Sequence, residues 1–220
     1  LETFSTWINQ TPSGLSAATA TEGAGALPIV LQGLADGVLS FNPVYTLTGK
    51  LKSIGAPPWE ITVAMAGASN LSAVTGVAWH PLILRNSISD KAISVQWTQQ
   101  QSPASPVQSS ATVIHWENAS TGASATRTQP SSGSAAINGG DWGWPFSDYF
   151  NWLRIANDGT NLTFWVSQEG ILFLQLPYSE TLASFITSVD QVGFGFDRAN
   201  LGGYDPNPAI AGLLWNWVES

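Results

Sequence analysis

Trp152-Leu153-Arg154-Ile155-Ala156-Asn157-Asp158-Gly159-Thr160-Asn161-Leu162-Thr163-Phe164-Trp165-Val166-Ser167 reads as a β-hairpin. Two runs that alternate apolar and polar residues flank Asn157-Asp158-Gly159. That string suits a tight turn, because Gly accepts positive φ and Asn and Asp bond their own backbone. Period-two alternation sends Leu153 and Ile155 to one face of the first arm, and Leu162, Phe164 and Val166 to one face of the second. The opposite face then holds Trp152 and Arg154 beside Thr163, Trp165 and Ser167.

The same period extends outward along the chain. Trp59, Ile61, Val63 and Met65 alternate with Glu60, Thr62 and Ala64 after Pro57-Pro58, as a half-buried strand requires. Further strands are predicted at Val77 to Arg85, through Ile93, Val95 and Trp97, at Thr112 to Glu117, at Val192 to Phe196 and at Ala211 to Val218. Between Pro177 and Asp190, Leu182, Phe185, Ile186 and Val189 have helical spacing, with Ser179 as N-cap and Glu180 in the first turn. The segments Thr11 to Ala26, Ser102 to Ser110 and Ala119 to Gly140 are rich in Ser, Ala, Thr, Pro and Gly and read as surface loops.

The expected fold class is therefore all-β, an antiparallel two-sheet sandwich with one short helix. All 220 residues form one domain in this reading, with residues 1–54 an N-terminal strand and loops packed on a core of residues 55–218. Ile61, Val63, Leu84, Leu153, Ile155, Phe164, Val166 and Phe194 are the predicted core.

Composition narrows the function classes. Only 10% of the residues are charged, and the net charge of −8 would repel a nucleic-acid backbone or an anionic membrane. No uninterrupted apolar run approaches the ~20 residues of a membrane span, so membrane insertion is not expected. Without cysteine there are no disulfides, thiolate ligands or cysteine nucleophiles. Eleven tryptophans exceed what a core of this size needs, and some are expected to face a ligand or partner.

The order of segments resembles the concanavalin A-like (laminin G-like) jelly-roll domains. The resemblance rests on Pro57-Pro58-Trp59-Glu60-Ile61-Thr62-Val63, Gly76-Val77 leading to Leu82-Ile83-Leu84-Arg85-Asn86-Ser87, Trp152-Leu153-Arg154-Ile155, Phe164-Trp165-Val166-Ser167-Gln168-Glu169-Gly170 and Val192-Gly193-Phe194-Gly195-Phe196. It departs from the family pattern where Glu169 replaces an Asp and Phe173 supplies the following aromatic. It implies a jelly-roll sandwich, and the low charge and Ala/Ser/Thr/Gly-rich loops are similar to bacteriophage virion-surface members. The implied role is a non-enzymatic capsid-decoration or tail module used for contacts with other virion proteins or itself, for attachment to host glycans, or for both. The alternatives are a lectin-like module of a secreted protein and a glycoside hydrolase.

A hydrolase needs two carboxylates about 5 to 10 Å apart across the sugar. The family's E-x-D-x-x-E string is absent, Glu60 and Glu117 stand on different strands, and no catalytic residue is assigned. His80 and His115 are expected to be strand histidines satisfied by backbone groups. Ca²⁺ is a candidate cofactor, because Asp197, Asn200, Asp205 and Asn207 gather oxygen ligands in one loop, a composition that any irregular turn also needs.

Two aromatic groups are candidate contact surfaces. In Asp141-Trp142-Gly143-Trp144 the two indoles share a side if the segment is extended, as a sugar-stacking platform or as a plug for the end of the sandwich. On the hairpin, Arg154 between Trp152 and Trp165 would hold flat rings by cation–π contact, unless a loop of the same chain covers them.

Overall fold

The computed structural model describes residues 4–8, 19–22, 29–33, 46–69, 76–102, 105–120, 125–126, 152–199 and 210–220. Four strands come from the N-terminal quarter: β1 (Thr6–Ile8), β2 (Thr19–Glu22), β3 (Ile29–Gly33) and β4 (Thr46–Ser53). The middle supplies β5 (Trp59–Ser69), β6 (Gly76–Arg85), β7 (Ala92–Ser102), β8 (Ser105–Trp116) and β9 (Ala125–Thr126). The remainder forms β10 (Trp152–Asn157), β11 (Asn161–Ser167), β12 (Leu174–Thr181), β13 (Gln191–Ala199) and β14 (Ile210–Glu219).

Among the described residues these strands make two seven-stranded sheets. The first has the order β1-β4-β13-β6-β7-β8-β9 and the second β12-β11-β10-β5-β14-β3-β2. Every pairing is antiparallel. The antiparallel two-sheet sandwich expected from the alternating patterns is the architecture observed, matching the jelly-roll form that the resemblance implied.

Alternation decides what lies between the sheets. Ile61, Val63, Met65, Leu153, Ile155, Leu162, Phe164 and Val166 from the second sheet share one buried cluster with Leu82, Leu84, Ile93, Val95, Val113, Val192, Phe194 and Phe196 from the first. All eight predicted core residues belong to this cluster. Phe4, just before β1, lies edge-on to both Phe194 and Trp217, with ring centroids 5.1 and 4.9 Å away.

A second apolar cluster was not legible in the sequence. Ile8, Leu47, Leu51, Ile83, Ala92, Ile114, Trp116 and Ala119 are buried together, and Ile83 and Ile114 alternate with inward-facing Leu82, Leu84 and Val113. The first sheet therefore buries apolar side chains on both faces. Trp116 donates its indole N–H to Ser94 Oγ at 2.8 Å and stands edge-on to the His80 ring.

Three local expectations are corrected. The helix predicted from Ser179 to Val189 is a single 3₁₀ turn at Leu182–Ser184, while Ser179 and Glu180 lie in β12. Leu182, Ile186 and Val189 are indeed buried, but the N–H groups of Phe185 and Ile186 both go to the Leu182 carbonyl and the turn propagates no further. The loop predicted over Ser102 to Ser110 is mostly β8, because this polar segment satisfies its backbone by pairing with β7. The loops predicted over Thr11 to Ala26 and Ala119 to Gly140 contain the short strands β2 and β9.

The hairpin turn forms as its residues dictate. Asn157 Oδ1 accepts the Gly159 N–H at 2.8 Å, Asp158 Oδ1 accepts those of Thr160 and Asn161 at 2.7 Å each, and Gly159 has φ +94°. At the same end of the sandwich Arg85 donates through Nε and Nη2 to Asp90 Oδ1 and through Nη1 to Gln191, which clamps the turn between β6 and β7.

Candidate functional site

The antiparallel register of β11, β10 and β5 sets the outer face of the second sheet. Arg154 stands directly across from Trp165 on one side and Thr62 on the other. Gln175 of β12 lies beyond Trp165. Trp152 sits one pleat away from Arg154 on the same face, and Glu60 lies diagonally across from Arg154. Trp152, Arg154, Trp165, Thr62 and Glu60 are all half-buried, so the row is open to solvent in part.

Arg154 is fixed from three directions. Its Nε donates to Thr62 Oγ1 at 3.2 Å and lies 3.3 Å from Glu60 Oε1. Its guanidinium carbon stands 3.8 Å from the centroid of the Phe173 ring. The sequence reading put Arg154 between two indoles, and the register places it beside both, with the Phe173 ring stacked on its guanidinium in addition. The reason is the turn after β11. Gly170 donates its N–H to Ser167 Oγ at 2.9 Å, the chain reverses, and Phe173 is carried back toward the sheet. Ser167, expected on the outer face, is thereby buried at 3% exposure.

The same turn covers part of Trp152. Gly170 has φ +77°, and a Cβ there would lie 2.5 Å from Trp152 Cε2, so the glycine backbone packs flat on the indole. The alternative in which a loop of the chain covers this face thus holds for one side of Trp152 and, through Phe173, for part of Arg154. Trp165 and Arg154 keep their partial exposure. At the crest of the turn Ile171 and Leu172 project into solvent at 78% and 76% exposure.

The arrangement offers an aromatic plane at Trp165, a rigid guanidinium beside it, a carboxylate at Glu60 and a hydroxyl at Thr62. These are the groups that recognise a pyranose, whose apolar face stacks on a ring and whose hydroxyls need both donors and acceptors. Phe173, Glu60, Thr62 and Gly170 were missed as site residues. Glu60 and Thr62 alternate on β5 with its buried positions, which marks their face, but only the register shows that they meet Arg154.

Asp141, Trp142 and Trp144 lie outside the described residues, as do Asn200, Asp205 and Asn207. Asp197 is described only as a backbone position of β13, paired with Leu47 and Ala78. Among the described residues no group of three His, Asp or Glu stands close enough to hold a metal ion.

A second polar cluster bridges the sheets. His115 Nε2 lies 2.9 Å from Glu180 Oε2, and its ring stacks on Phe185 with centroids 4.4 Å apart. Lys91 Nζ stands 4.7 Å from the Phe185 centroid and 3.1 Å from Glu117 Oε2. His115 was expected to be satisfied by a backbone group; its Nε2 meets a carboxylate from the opposite sheet. Glu180 is only 4% exposed, so this group works as a brace between sheets.

No protein-family model and no curated protein sequence matches the chain. Among solved structures it is similar to a functionally unknown protein from Saccharomyces cerevisiae, with a TM-score of 0.52 at 10% identity over 98% of this chain and 95% of that one. It also aligns with the CBM2 module of the evolved Dit of Lactobacillus casei BL23 phage J-1 (TM-score 0.46, 12% identity, 94% and 93% coverage). A lectin from Bauhinia forficata in complex with GalNAc aligns at a TM-score of 0.38, with 11% identity over 96% and 94% of the two chains. At 10% identity the likeness to the yeast protein is one of fold alone.

Proposed function

We propose that this chain is a non-enzymatic β-sandwich module of a virion surface that binds host glycan through the outer face of its second sheet. The observation that carries the reading is the rigid row of Trp165, Arg154 and Thr62 with Glu60 beside it, where Phe173 and two oxygen partners fix the guanidinium next to a half-exposed indole. A pre-ordered stacking ring with donors and acceptors at its edge binds a sugar at little ordering cost. Asp141, Trp142 and Trp144 form a second contact surface in this proposal, toward the same glycan or toward other virion proteins. The virion setting rests on the low charge and the small-residue loops, features that a secreted lectin-like module would share.

The test measures retention on immobilised polysaccharides and incorporation into particles. Trp165→Ala and Arg154→Ala are expected to abolish retention while the melting temperature stays near that of the parent protein. Turnover of a polysaccharide that disappears on replacing a single Glu or Asp would establish the hydrolase alternative in its place.

A further inference from the structure

The charge balance of the face selects among glycans. Among the described residues, four cationic side chains have a carboxylate within ion-pair distance: Lys52 with Glu219, Arg85 with Asp90, Lys91 with Glu117 and Arg154 with Glu60. At the candidate site the one guanidinium is therefore already matched by Glu60, which is itself 38% exposed and faces the same solvent. An approaching uronate or sulfate would meet that carboxylate together with the chain's net charge of −8. A neutral sugar meets no such barrier.

The hydrogen-bonding capacity points the same way. Arg154 spends Nε on Thr62 and Glu60, and no described residue accepts a hydrogen bond from either Nη. The terminal nitrogens present a planar pair of donors suited to adjacent hydroxyl oxygens. Glu60 can only accept, so it takes the hydroxyl protons. The row from Thr62 through Arg154 and Trp165 to Gln175 crosses three interstrand steps of about 4.8 Å, ~14 Å in all, which suits a short oligosaccharide stretch better than one ring.

Resting on the glycan-binding reading above, we infer that this face is selective for neutral hydroxyl-rich glycans, and that Glu60 is the residue that rejects acidic ones. The experiment compares retention of the parent protein, Glu60→Gln and Trp165→Ala on immobilised neutral polymers (a β-glucan, a galactan and a mannan) and acidic ones (alginate and polygalacturonate), with the melting temperature of each variant as a fold control. The parent is expected to bind at least one neutral polymer about tenfold more tightly than either polyuronate, with Trp165→Ala losing that binding. Glu60→Gln is expected to gain polyuronate retention and lose part of the neutral binding. Preference of the parent for a polyuronate, or unchanged polyuronate retention in Glu60→Gln, overturns this inference and leaves the glycan-binding reading standing. Retention on no polymer, or binding indifferent to Trp165→Ala, removes that reading and this inference with it.

Discussion

His115 of the first sheet and Glu180 of the second join the two layers of the sandwich through a contact of 2.9 Å between His115 Nε2 and Glu180 Oε2. The carboxylate is nearly fully buried, so removing His115 takes a partner from it where water can do little to replace the contact. His115→Ala is expected to cost ~3 kcal/mol or more in urea unfolding, and His115→Ala with Glu180→Leu markedly less than the sum of the two single changes. Additive effects in that cycle would show that the pair is not coupled.

Gly170→Ala tests the turn that covers Trp152. The added Cβ meets the indole at 2.5 Å and the backbone φ of +77° is strained for any residue but glycine. Both effects act together, so a loss of ~1–3 kcal/mol is expected, with a shift in tryptophan fluorescence as the ring is displaced. A variant with parent stability and spectrum would mean that the turn does not rest on Trp152.

Phe194 stands in the inter-sheet cluster against Phe4, and Leu153 belongs to the other sheet's share of that cluster. Truncation of either to Ala should cost ~2–5 kcal/mol in equilibrium unfolding, since neither site can collapse without moving both layers. Losses well under that range would place these side chains outside a close-packed interior.

Asp158 gives the hairpin an acid-sensitive tip. The backbone N–H of Asn161, and then that of Thr160, hold its carboxylate below the ordinary Asp value. A pKa depressed in the folded state adds stability above the unfolded value and loses it as pH falls through the folded one. The parent protein should therefore lose stability more steeply than Asp158→Ala as pH drops below the ordinary carboxylate range, measured by urea midpoints at successive pH values. Parallel profiles would remove the capping role.

Trp142 and Trp144 are proposed as contact residues, and the double replacement by Ala separates contact from packing. It should leave the melting temperature close to that of the parent and abolish glycan retention or particle incorporation, as loss of interface anchors does. A fall in stability of ~3–5 kcal/mol would instead identify the rings as a plug of the sandwich.

The strands that could be read from sequence are those whose two faces differ in polarity. β5, β10 and β11 alternate over most of their described length, and every inward side chain expected of them is buried. The first half of β8 gave no such signal, because Ser105–Ser110 has no apolar alternation and owes its strand state to pairing with β7. β12 was hidden by Pro177 and by the helical spacing of Leu182, Ile186 and Val189, whose burial comes from a turn and extended chain. At the candidate site Trp152, Arg154 and Trp165 were assigned to one face by period alone. Their partners Glu60, Thr62 and Phe173 depend on strand order and on a reversal at Gly170, and neither is encoded in local periodicity.

The position of β5 has a consequence for the growing polypeptide. Its neighbours in the sheet are β10 and β14, both made long after it, so this apolar strand leaves the ribosome with two open edges. β6, β7 and β8 are consecutive and can zip together as they emerge. The β6-β7-β8 part of the first sheet is thus assembled in order of synthesis, while the sheet that carries the candidate site waits with an exposed, aggregation-prone template until β10 and β14 arrive.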